Sequence, residues 1–155
     1  MATALEGKGK EAVELFSMVN PINHALNKDG MQKYKTEPYV LCGDVYSNPQ
    51  LRGHGGWSWY TGSASWMYKV GIEHIIGLKI KSDHFTIEPC VDPAWKEFSV
   101  TFHLRGVCYE VLVSNPDGVE EGVGAIEVDQ VFVEDGRVRF VEDKNKTVRV
   151  NVVMG

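Results

Sequence analysis

The chain has 155 residues, 43% hydrophobic and 24% charged, enough for one domain with a core or for one domain and a piece of another, and too apolar for a disordered chain. Its net charge of -5 and pI near 5.5 repel polyphosphate backbones, which sets nucleic acid aside as a partner. No apolar run is long enough to span a bilayer, and the N-terminal MATALEGKGKE lacks the basic-then-apolar design of a secretory signal.

In chain order, the first half carries a helical period. Met1–Glu6 reads as a helical turn closed by Gly7 and Gly9. In Lys10–Val19, residues Ala12, Leu15, Phe16 and Val19 recur at i, i+3, i+4 and i+7, one apolar stripe of an amphipathic helix. Asn20-Pro21 closes it, because the residue before proline avoids the helical region. Glu37–Tyr46 reads either as a helix entered through Pro38, which is preferred, or as an extended buried segment. Asn48–Gly56, with Pro49, Gly53, Gly55 and Gly56, is a loop. Ser63–Leu78 reads as a helix with Ala64, Met67, Tyr68, Gly71, Ile75 and Leu78 on one broad face.

Near Leu78 the period changes to two. Leu78–Lys81 and His84–Glu88 predict a hairpin around Ser82-Asp83. Phe98 to Leu104 and Val107 to Val113 alternate about an Arg105-Gly106 turn, and Asn115-Pro116-Asp117-Gly118 is a second turn. Val123–Val128, Val131–Val133, Val138–Val141 and Thr147–Val153 add short strands. The fold class expected is α+β, a helical piece followed by an antiparallel sandwich or jelly roll.

Cys42, Cys90 and Cys108 are odd in number and form no CxxC pair, which favours reduced thiols in a cytoplasm over a disulfide framework; no ligand spacing supports a metal. The chemically suggestive stretch runs from Arg52 to Tyr68. A glycine-rich loop leads into Thr61-Gly62 at the start of the Ser63–Leu78 helix, where unpaired N–H groups and the positive end of the dipole favour an anion. The plainer reading makes Thr61 or Ser63 an N-cap, and on this segment alone the cap is the commoner outcome. Of the clustered aromatics, Trp66 and Tyr68 read as helix packing, while Trp57 and Trp59, in the loop, are candidates to stack on a sugar.

At these residues the chain resembles a known family. GGWSWYTGSASWMY, with TEPYVLCGDVY and NPINHALNKDG before it and IEPCVDPAW after it, is similar to the cellobiose and chitobiose phosphorylases, with the flavour of β-1,2-oligoglucan phosphorylases and of the C-terminal region of cyclic β-1,2-glucan synthases. The resemblance implies that residues 1–77 are the closing helices of an α/α barrel and residues 78–155 a C-terminal β-sandwich. It implies cleavage of a β-glucoside by inorganic phosphate with inversion, no cofactor besides phosphate as co-substrate, and a β-linked gluco-oligosaccharide as partner.

By the same resemblance Thr61 and Gly62 are phosphate-binding, and Arg52, His54, Trp57 and Trp59 are candidates for substrate binding, although Arg52 and His54 equally read as solvated loop residues. The family's general-acid aspartate, and its phosphate-binding histidine and arginine, are expected before Met1, so no catalytic residue is assigned here. A sugar-binding glutamine of the disaccharide-specific members is missing near Gly43, which points away from ordinary cellobiose or chitobiose specificity. The alternative is a non-catalytic carbohydrate-binding or assembly module. Closing helices alone cannot cover Leu15, Phe16, Met67, Ile72, Ile75 and Ile76, so the chain is expected to self-associate.

Overall fold

A computed structural model of the chain describes residues 1–58 and 61–155. It is a mixed helix-and-sheet protein in two compact units, one of residues Met1–Val13 with Ile72–Gly155 and one of Glu14–Gly71.

The first unit holds the two larger sheets. β3 (Leu78–Ile80), β4 (His84–Ile87) and β9 (Val138–Arg139) make a three-stranded antiparallel sheet, and β5 (Glu97–Leu104), β6 (Val107–Ser114), β10 (Thr147–Val153), β7 (Ala125–Val128) and β8 (Val131–Phe132) make a five-stranded one in that order. The alternation read from sequence becomes burial alternation: Val107, Tyr109, Val111 and Val113 on β6 and Val148, Val150 and Val152 on β10 all point inward. Phe85 of β4 is fully buried and meets Phe102 and Tyr109 edge-on at 5.2 Å, so the two sheets pack through one aromatic cluster.

One pairing departs from the antiparallel expectation. β6 and β10 run parallel over seven residue pairs, because the chain goes through β7 to β9 before returning alongside β6 in the same direction. Asn115 is buried in the expected turn, and its side-chain amide donates to the Val119 carbonyl and accepts from the Val119 amide. The polar atoms that the turn takes out of water are thus satisfied locally.

The N-terminal turns form as expected. α1 (Ala2–Leu5) and α2 (Gly9–Val19) are separated at Gly7, whose φ is +73°. Gly9 lies against the Val91 backbone, where a Cβ would collide, so this position tolerates only glycine. Ala4, Ala12 and Cys90 bury together.

In the second unit, α3 (Pro21–His24) is capped by the Asn20 side chain on the Ile22 amide, and α4 (Lys28–Tyr34) by Asn27 on the Gly30 amide. The helix preferred for Glu37–Tyr46 is absent. The segment is irregular and ends in the two-residue strand β1 (Asp44–Val45), paired with β2 (Gly55–Gly56). The hairpin forms because residues 56 and 57 supply acceptors: the Gly43 amide donates to the Gly56 and Trp57 carbonyls.

The long helix is shorter than expected. It runs as α5 (Thr61–Lys69), continues as a π-helical segment (Val70–Ile75), and stops before Gly77, whose φ is +82° and whose Cβ position is filled by the Glu88 backbone. Leu78 therefore opens β3. Trp66 and Tyr68, read as packing residues, are exposed on α5.

Candidate functional site

The glycine-rich loop is built as the tip of the β1–β2 hairpin. The Tyr46 amide donates to the His54 carbonyl at 2.9 Å, and the Gly53 amide returns to the Tyr46 carbonyl at 2.8 Å. Glycine at 55 and 56 follows from close approach. A Cβ on Gly55 would collide with the Thr36 hydroxyl, and one on Gly56 with the Asp44 carboxylate.

Beyond this ladder the chain does something costly. Trp57 has φ +43°, a conformation that bulky residues rarely adopt, and the residue is 70% exposed. The Gly43 hydrogen bond to its carbonyl helps to hold it there.

Trp57, Cys42, Gly43, Asp44 and Ser63 line an open cavity of about 430 Å³. Ser63 is the third residue of α5, within the turn whose N–H groups lack intrahelical partners. Gly62, beside it, is exposed, and a Cβ there would meet no described residue within 4 Å. Its carbonyl accepts from the Ser65 hydroxyl at 3.0 Å.

A second cavity, of about 590 Å³, shares Cys42, Gly43, Asp44 and Ser63 in its wall and adds Trp66 and Tyr34. Tyr34 is buried, stacks on the His24 ring at 4.5 Å, and shares a hydrogen bond of 3.1 Å with the Cys42 thiol. Burial first, and then the bond to Cys42, pushes the Tyr34 phenol well above its ordinary pKa, so it stays a neutral hydroxyl in this wall. His24 donates its Nε2–H to the Met18 carbonyl at 2.7 Å.

The structure therefore brings Trp57 together with Asp44 and the first turn of α5. It does not bring Arg52 or His54 to either cavity. Arg52 is exposed in the turn at the loop tip, and the His54 ring tilts onto Tyr46 at 5.7 Å. Trp59 lies outside the described residues, and Thr61 is described as the first residue of α5 without its side chain. Sequence reasoning passed over Tyr34, Cys42 and Ser63 as wall residues. The hairpin register that brings Cys42 beside Ser63 leaves no periodic signal, because it depends on two-residue strands. Among the described residues no group of three or more His, Cys, Asp or Glu side chains could hold a metal ion.

Residues 1–77 match the family model described as the glycosyl hydrolase 94 superfamily, catalytic domain. The chain is 36% identical over 126 residues to a cyclic beta-(1,2)-glucan synthase of Rhizobium meliloti (strain 1021), covering 81% of this chain and 4% of that protein. It is 31% identical over 156 residues to an N,N'-diacetylchitobiose phosphorylase of Vibrio furnissii, covering 100% of this chain and 19% of the relative. A solabiose phosphorylase of Paenibacillus borealis is 27% identical over 131 residues, 83% of this chain and 16% of its own length. The chain thus spans less than a fifth of the length of the curated relatives it matches. With a catalytic-domain match over its first 77 residues and phosphorylase relatives along most of its length, the chain belongs to the glycosyl hydrolase 94 superfamily.

Proposed function

We propose that this chain supplies one wall of the active site of an inverting glycoside phosphorylase acting on a β-glucoside and inorganic phosphate. The observation that carries this reading is the strained, exposed Trp57 beside a cavity that Asp44 and the first turn of α5 also line. An aromatic face suits the C–H face of a pyranose, and unpaired helix N–H groups suit a phosphate. In this reading Thr61 and Gly62 hold phosphate, and no described residue stands within 4 Å of a Cβ placed on Gly62, which is compatible with an approaching anion. Arg52, His54 and Trp59 are the remaining substrate-binding candidates.

In the reaction, a phosphate oxygen attacks the anomeric carbon from the face opposite the glycosidic bond. The bond to the leaving oxygen breaks, that oxygen takes a proton from a carboxylic acid, and the proton shed by phosphate restores the acid. The acid and the cationic phosphate ligands belong, in this reading, to a part of the catalytic domain that the chain does not contain. Residues 1–77 are then the closing helices of an α/α barrel and residues 78–155 a jelly roll, in a cytoplasmic protein whose thiols stay reduced. Self-association covers the apolar side chains that the helices leave exposed.

Two assays test this. The chain alone, given phosphate and β-linked gluco-oligosaccharides, should release no glucose 1-phosphate above the blank; release at an enzymatic rate would mean that the catalytic groups have been misassigned. Substituted for the matching segment of the chitobiose phosphorylase, the chain should support turnover, and Thr61→Val should then lower it roughly 10²- to 10³-fold, as expected for one lost donor to a charged group. Turnover indifferent to Thr61→Val rejects the phosphate assignment. Saccharide binding without turnover in either setting supports the non-catalytic module instead.

A further inference from the structure

Another cavity lies in the β unit. It encloses about 700 Å³ between the β3–β4 hairpin, the β7–β8 hairpin and the loop that follows β8. That volume is within the range of small-ligand sites. Its wall is chemically mixed. Lys79, Lys81 and Arg137 bring positive charge, and Glu88, Glu134 and Asp135 bring the same number of negative charges. Lys79 is ion-paired with Glu88, and Asp135 accepts from the Arg137 backbone amide at 3.1 Å and pairs with the Arg139 guanidinium behind the wall at 2.7 Å, so these two carboxylates are each charge-compensated. Phe132 completes the lining, 57% exposed on the edge strand β8.

These features select a ligand class. With no excess of either sign, the wall offers a phosphate or a carboxylate little net attraction. A wall of charged groups does not suit an apolar ligand. Hydroxyl groups both donate and accept, so a polyol uses ammonium and guanidinium donors together with carboxylate acceptors. An exposed aromatic ring on an edge strand costs solubility unless something covers it, and a pyranose C–H face does so without dehydrating the charged rim.

We propose that this cavity binds a neutral oligosaccharide, with Phe132 as the stacking platform and Glu134 and Arg137 as its hydrogen-bonding rim. The choice of a saccharide leans on the carbohydrate reading of the α5 site, but the residues are a separate set.

The test is a titration of the full ¹⁵N-labelled chain with a β-linked glucotriose, read by amide shifts, with inorganic phosphate as the charged control. The glucotriose should shift the amides of Phe132, Gly136 and Arg137, and phosphate should leave them in place. Phe132→Ala should weaken the glucotriose effect about tenfold or more, a loss on the scale of one aromatic contact. Glu134→Gln, which keeps the shape of the wall, should weaken it severalfold, so the outcome does not hang on whether the Phe132 variant folds. Shifts confined to Gly43, Asp44 and Ser63 would overturn the proposal and leave the α5 reading intact. Equal response to phosphate, or no response at Phe132, Gly136 and Arg137 at tens of millimolar saccharide, would also overturn it.

Discussion

Asp129 illustrates how one side chain ties distant segments of the β unit. Its carboxylate accepts from the Arg149 amide at 3.0 Å and pairs with the Lys146 ammonium at 3.0 Å. The Arg149 amide first, and then Lys146, hold its pKa below the ordinary carboxylate range. A group whose folded-state pKa is depressed contributes stability above its unfolded pKa, and that contribution fades as pH falls through the folded value. The pair is partly exposed, so solvent screening limits the contribution to about 0.5–1 kcal/mol. Asp129→Asn should therefore lower the urea midpoint at neutral pH, and the gap to the parent should close on acidification to about pH 2. A gap that stays constant across that range would show that the charge contributes nothing.

At the next scale, two hairpins carry the same turn with unequal sequences. Arg105-Gly106 joins β5 to β6 with φ values of 54° and 84°, and Asp129-Gln130 joins β7 to β8 with 49° and 69°. Two left-handed central residues in a two-residue loop define the type I′ turn, which favours glycine in the second place. The first hairpin has that glycine and the second does not. Gln130→Gly should therefore raise stability by roughly 0.5–1 kcal/mol, and Gly106→Ala should lower it by a similar amount. Denaturant midpoints measure both, and a Gln130→Gly protein no more stable than the parent would count against the strain. The Arg105-Gly106 turn was legible from its dipeptide, whereas Gln130 carries no turn signal and the second turn followed only from the strands on either side.

For the whole molecule, the helical segment leaves apolar surface uncovered. On α2, Ala12 is buried, while Leu15 and Val19 of the same stripe stay exposed, together with Met18. Ile22, Leu26 and Met31 extend the exposed set through α3 and α4. Of the residues expected to lack cover, Ile75 is in fact buried, and Phe16, Met67, Ile72 and Ile76 are half-buried. Soluble monomers rarely expose a large contiguous apolar surface, so the chain is expected to associate with itself. Light scattering should give a mass above that of one chain, and Met18→Lys with Leu26→Lys should shift it toward the monomer. A monomer mass for the parent with the helices intact by circular dichroism would reject this.

By itself, the sequence determined the switch from helical to strand period near Leu78, most strand positions and the family. Each of these depends on local periodicity, turn chemistry or a contiguous motif, and such signals lie along the chain. Only the tertiary structure decided that Glu37–Tyr46 is not a helix, that β10 runs parallel to β6, and that Trp57 shares a cavity with Ser63 while Arg52 and His54 do not. These outcomes depend on hydrogen-bond partners and wall residues far apart in sequence. The Gly43 amide takes its acceptors from residues 56 and 57, and β6 meets β10 only after three intervening strands. Pairing at such separations is settled by which backbone groups and side chains can be satisfied together, and no window along the chain contains both partners.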